Sequence, residues 1–177
     1  MATRAWVNHA VIGLNLCPFA HAVETRDLIR YVATDAADPE RLREVLRDEL
    51  QRLAAAPVEE VETTLLVHPR VLGDFLEFNE FLGEAEALVE ELGLTGVLQV
   101  ASFHPDFQFA DTEPDDVTNA TNRSPYPTLH LLREESIERA IESFPDPDSI
   151  YRTNIETLRR IGHAGWKELQ QRWKPES

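Results

Sequence analysis

Two histidines bracket the most polar stretch of the chain. His104 closes an apolar run, Val97 to Phe103, and His130 lies inside another, Thr128 to Arg133. Imidazole titrates near neutrality and ligates zinc, iron or copper, so these side chains suit general acid–base work or metal ligation. The ends of strands are also where α/β folds commonly place ligands. If the two runs pair, both rings are expected to face one cleft. The alternative is a hydrogen-bonded core histidine at 130 and a turn cap at 104. No HExxH or CxxC spacing accompanies them, so a divalent or transition metal held by His104 and His130 would depend on tertiary convergence alone.

Between them lies Asn119-Ala-Thr-Asn-Arg-Ser-Pro-Tyr-Pro, rich in amide, hydroxyl and guanidinium groups. The planar fork of Arg123 can grip a carboxylate or phosphate through two hydrogen bonds. Asn119, Asn122, Ser124 and Tyr126 are the candidates to complete a substrate pocket, stiffened by the prolines that follow Ser124 and Tyr126. The competing reading is a loop held by internal bonds, with Arg123 paired to Asp115, Asp116 or Glu134. Two further catalytic candidates stand apart. Cys17 can act as a nucleophile if a base or a positive field favours its thiolate, although the end of a preceding helix works against that. Its Cys-Pro-Phe setting resembles the N-terminal motif of some glutathione transferases, but the strand expected at Leu28 leaves too little room for the helix that motif opens. Glu62, at the head of a strand, is either an acid–base partner or an edge carboxylate facing water. Asp106, Asp111, Asp115 and Asp116 lack the spacing of a calcium loop. His9, His21, His68 and His163 are read as surface residues, and no glycine-rich phosphate loop is present.

The elements that must position these groups follow from periodicity. Trp6, Val7, Ala10, Val11 and Leu14 recur at helical spacing, and Cys17-Pro18-Phe19 breaks the pattern. Leu28 to Thr34 reads as a strand. Asp38-Pro39 opens a helix whose apolar face runs to about Ala56. Thr63 to Val67 is the next strand, and Phe75 to Leu92 a helix stopped by Gly93. Val97 to Phe103 and Thr128 to Arg133 are strands, separated by residues 106–127, which show no period. A helix through Ile137 and Phe144 follows, then a last one from Asp148 or Ser149 to Ile161, and a tail carrying Trp166 and Trp173. Alternating strands and helices predict an α/β fold: a single mixed, mainly parallel sheet of about four strands, with an N-terminal helix and two C-terminal ones. The fourth strand follows the third without a helix between them and can run antiparallel. The whole reads as one domain over 1–177, with 162–177 as its tail.

Composition narrows the function. Seventeen Lys+Arg against 32 Asp+Glu give a formal charge of −15 over 177 residues, which argues against nucleic acid or an anionic membrane as partner. A single cysteine and the lack of a secretory or membrane-spanning pattern point to a soluble cytoplasmic protein.

Gly13-Leu-Asn-Leu-Cys-Pro-Phe-Ala20, Glu62-Thr-Thr-Leu-Leu66, Gln99-Val-Ala-Ser-Phe-His-Pro105 and Asn122-Arg-Ser-Pro-Tyr-Pro127 with Leu129-His-Leu-Leu-Arg-Glu134 together resemble a bacterial family catalogued as domain of unknown function 1415. The resemblance runs from about Trp6 to Ile161 and implies a fold-level grouping without an activity. The residues themselves suggest an enzyme for a small polar or anionic metabolite, with His104, His130, Cys17 and Glu62 as catalytic candidates. A non-catalytic binding or oligomeric assembly module is the alternative.

Overall fold

The computed structural model describes residues 1–174. The opening helix α1 (Ala2–Trp6) runs straight into a π-helical stretch, Val7–Ile12. There Gly13 N–H reaches Asn8 O at 3.1 Å and Leu16 N–H reaches Val11 O at 2.8 Å, the i→i−5 spacing of a widened helix. A β-carbon at residue 13 would meet His9 O at 2.2 Å, so this exit requires glycine. Asn15, at φ 52°, turns the chain out of the helix.

A short helix α2 (Ala20–Thr25) follows, where sequence spacing left no room for one; its six residues rise only about 9 Å and fit before the strand. Strand β1 is Ile29–Ala33 and helix α3 is Pro39–Ala55. Asp38 caps α3 by accepting from Arg41 N–H at 2.8 Å, and Pro39 supplies the first helical residue. Strand β2 (Thr63–Val67) leads to helix α4 (Phe75–Glu91), capped by Asp74, which accepts from Leu76 and Glu77 N–H. Gly93, at φ 70°, ends it in the left-handed conformation. Strand β3 is Leu98–Phe103, a 3₁₀ turn spans Val117–Asn122, and strand β4 is Thr128–Arg133. Helices α5 (Glu134–Glu142) and α6 (Asp148–Gln170) complete the chain. The expected tail is in large part a continuation of α6 beyond a kink at Gly162 (φ 64°).

The four strands form one mixed sheet in the order β1-β2-β4-β3, consistent with an α/β fold. The expectation of mainly parallel pairing is corrected. Only β1 and β2 run parallel, while β4 pairs antiparallel with both β2 and β3. The reason is topological: β4 returns from β3 without a helical crossover and inserts between β2 and β3, so both of its neighbours run against it.

Side chains alternate along each strand, so each face of the sheet acquires its own core. Leu66, Leu98, Leu129 and Leu131 join Leu42, Leu46 and Leu50 of α3 and Phe78 and Leu88 of α4. On the same face Arg30 makes a two-pronged ion pair with Glu49 of α3, at 3.0 and 3.2 Å. Leu65 faces the other way, into a core with Trp6, Val7, Ala10, Ala120, and Leu158 and Trp166 of α6. Each fully buried leucine contributes roughly 2 kcal/mol relative to exposure, which makes the two faces hard to exchange.

Two glycine substitutions test the local geometry. Gly13→Ala is expected to lower unfolding free energy by about 1–3 kcal/mol through overpacking. Gly83→Ala, exposed in α4 with nothing within 4 Å of the added carbon, is expected to raise it by about 0.5–1 kcal/mol. Urea denaturation of both variants checks the pair, and a neutral Gly13→Ala would contradict the tight exit from the π-helical stretch.

Candidate functional site

A cavity of about 370 Å³ lies between the sheet and α5 on the Leu65 face. Its walls are almost wholly apolar: Val7 and Val11 from the π-helical stretch, Ile29, Leu65 and Phe103 from the sheet, and Ile137 from α5. Among these walls stand three of the four catalytic candidates, Cys17, Glu62 and His130. A largely preformed apolar cavity of this size with a few convergent polar groups is the usual form of a small-molecule site.

Each polar group is placed by local structure. Cys17 follows the left-handed turn at Asn15, and that turn is fixed from behind by Asn154 of α6, buried, which donates to Leu16 O at 2.9 Å. The thiol is half-buried, and among the described residues no hydrogen bond joins it to His130. Glu62 sits where the chain enters β2, its N–H bonded to Leu28 O at 2.9 Å, and it lines the cavity rather than an open edge. Arg133 lies beside it and binds the preceding turn, donating to Val61 O and Ala56 O at 2.8 Å each.

His130 is the best defined. Its Nε2 lies 2.8 Å from Thr63 Oγ1, and that hydroxyl donates its only proton to Leu131 O at 2.6 Å. Thr63 can therefore only accept from the ring, so the neutral imidazole carries its proton on Nε2 and keeps a bare lone pair on Nδ1. Nδ1 has no partner among the described residues, yet it is not among the enclosed unpaired polar atoms; it opens on the cavity that His130 lines. The ring packs against Phe103 with centroids 5.6 Å apart. Removal from water pushes its pKa down to about 4, because a cation in an apolar wall lacks solvation.

His104 does not join it. Phe103 points to the cavity face, and alternation sends His104 to the opposite face, against Phe75 and Phe78 of α4 at 5.4 and 5.1 Å. There its Nε2 bonds Leu72 O at 3.1 Å and its Nδ1 accepts from Asp106 N–H at 3.0 Å. The anticipated common cleft, and with it a metal shared by His104 and His130, is not what the geometry provides. No cluster of three or more His, Cys, Asp or Glu with metal-binding geometry occurs among the described residues. His68, read as a surface residue, is fully buried, with Nδ1 3.0 Å from Val71 O. Together His68 and His104 tie down the loop that carries Leu72, which adopts φ 57°. Burial lowers the pKa of both, that of His68 to about 4.

The Asn119–Tyr126 segment is largely occupied with itself. Asn119 is fully buried, accepts from Phe109 N–H at 2.9 Å and from the Thr112 hydroxyl at 3.0 Å, and donates to Glu113 O at 2.9 Å. Arg123 donates to Phe107 O and Pro114 O at 3.0 and 2.7 Å, with no carboxylate partner among the described residues. Ser124 donates to Tyr126 O at 2.6 Å, and Asn122 O accepts from His104 N–H at 3.1 Å. Arg123, Ser124 and Tyr126 line a second hollow of about 260 Å³ with Trp173 and Lys174, away from His130.

Thr63, Phe103, Arg133 and Ile137 escaped the sequence reading as site residues. The available signal was strand alternation: Thr63 and Leu65 share one face of β2, and His130 with Leu132 shares one face of β4.

An open mixed α/β sheet, with a helical layer on one face and a lined cavity under the other, defines the class. Within it the chain belongs to the family described as protein of unknown function (DUF1415), which it matches over residues 1–168. No curated protein and no solved structure matches it. Among the described residues no helix is long and apolar enough to cross a membrane.

The histidine pKa values set a pH dependence. In the unfolded chain imidazole titrates near 6.5, whereas His68 and His130 titrate at about 4 when folded. The unfolded chain thus binds more protons between these values. The stabilisation is complete above about pH 6.5 and falls as pH drops toward 4, on the order of 3 kcal/mol for the buried His68. Imidazole Cε1–H resonances of His68 and His130 are expected to hold their neutral positions down to about pH 5; titration of either near 6.5 would contradict its burial as a neutral ring.

Proposed function

We propose that the protein acts on or carries a small, mainly apolar organic molecule bound between the sheet and α5. The observation that carries this reading is the presence of Cys17, Glu62 and His130 in the wall of one mainly apolar cavity, whose other polar lining residues are Thr63, Arg133 and Ser136. Apolar walls favour such a ligand by releasing water from both surfaces. The anionic metabolite suggested by Arg123 has less support, because that guanidinium is engaged by carbonyls of its own loop.

An enzymatic step here would draw on three groups. Neutral His130, with Nδ1 bare, offers the cavity a hydrogen-bond acceptor. Cys17 is the nucleophile within the same cavity, and Glu62 supplies a carboxyl group where β2 begins. A carrier would use the same cavity without Cys17 reacting. The other alternative, an assembly module, would want a flat apolar surface rather than a concave one.

Titration with toluene, followed by amide and methyl NMR shifts, tests the reading. Saturable shifts at Val11, Leu65, Phe103, His130 and Ile137 are expected, and Ala140→Trp, which places an indole at the cavity wall, should remove them while leaving the remaining spectrum intact. Wild-type protein without saturable shifts would overturn the proposal.

A further inference from the structure

The chain Leu131 O, Thr63 Oγ1, His130 Nε2 sets more than a ring orientation. Because Thr63 donates to Leu131 O at 2.6 Å, it must accept from Nε2 at 2.8 Å, and the cavity is left facing an acceptor. A ligand without a donor would cover that lone pair and leave it unpaired in an apolar wall, which is unfavourable. A ligand that donates would satisfy it. A site built around one hydrogen bond discriminates strongly against analogues that cannot make it.

Building on the cavity reading above, we infer that the ligand is a hydrogen-bond donor, an apolar alcohol, phenol or protonated acid whose O–H meets His130 Nδ1, and that Thr63 is the residue that sets this selectivity. Thr63 acts at one remove. It does not itself meet the ligand's O–H but holds the tautomer that does, so it is a positioning residue. The neutral state of the ring that this requires agrees with its enclosure beside Phe103 and Leu65.

The test compares p-cresol with 4-methylanisole, in which a methyl group replaces the donated proton, and uses 4-ethyltoluene as a match for the ether's shape. Wild-type protein is expected to bind the phenol about five- to tenfold more tightly than the ether, the value of one hydrogen bond. Thr63→Val should reduce that preference to about twofold or less, and Thr63→Ser, which keeps the hydroxyl, should restore it. Nitrogen-15 spectra of the ligand-free wild type give a readout independent of any variant: Nε2 is expected to be protonated and Nδ1 bare. Equal affinities of phenol and ether, or a proton on Nδ1, would overturn the donor inference while saturable toluene binding upheld the cavity. If none of the four compounds bound, the cavity reading itself would fall.

Discussion

Strand β4 is hydrogen-bonded along both edges, to β2 and to β3, and a strand held in this way cannot rotate. Its side chains must alternate between the faces of the sheet. Leu129 and Leu131 are committed to the core under α3 and α4, fully buried. His130, lying between them, is forced to the opposite face. A one-residue slip would put an imidazole among leucines and two leucines in the cavity. The position of the one well-defined polar group in the cavity is therefore secured by the burial of its two neighbours.

The same alternation separates the histidines by role. His68 and His104 are enclosed on the α4 side, and each bonds a carbonyl of the loop between β2 and α4. They hold backbone groups that would otherwise lack partners, a structural use of the ring. His130 has one nitrogen tied to Thr63 and the other left open. All three have pKa values pushed down by desolvation, so a lowered value does not distinguish the clamp from the site. What distinguishes them is whether the second nitrogen faces a carbonyl, a backbone N–H, the closed core or an open cavity.

Much of the fold was legible. The Asp38-Pro39 start of α3, the Gly93 stop after α4 and the Thr63–Val67 and Thr128–Arg133 strands are local signals, written in capping chemistry and β-branched or apolar runs. What failed was of another kind. The short α2 is missed because the strand expected at Leu28 leaves only a few residues after Cys17-Pro18-Phe19, too few for a helical period to show. The excess of parallel pairing was expected from helix–strand alternation, whereas strand order depends on which edge β4 finds. His68 looked exposed beside a proline and proved buried, since nothing in its neighbours reports that α4 covers it. Cys17, Glu62 and His130 could be named as reactive types, but their company in one cavity could not.

Sequence by itself determined the family, the four strands and most of the helices, and which residues of each strand share a face, because propensity, capping and period-2 alternation act over a few residues. Only the tertiary structure decided that Arg123 serves its own loop, that His104 and His130 look away from each other, and that Thr63 fixes the proton of His130. Those outcomes depend on contacts between segments far apart in the chain, such as Thr63 with His130 and Asn154 with Leu16. They arise when the sheet closes its order and two apolar faces are buried at once, an outcome set by the whole chain and not by any local stretch of it.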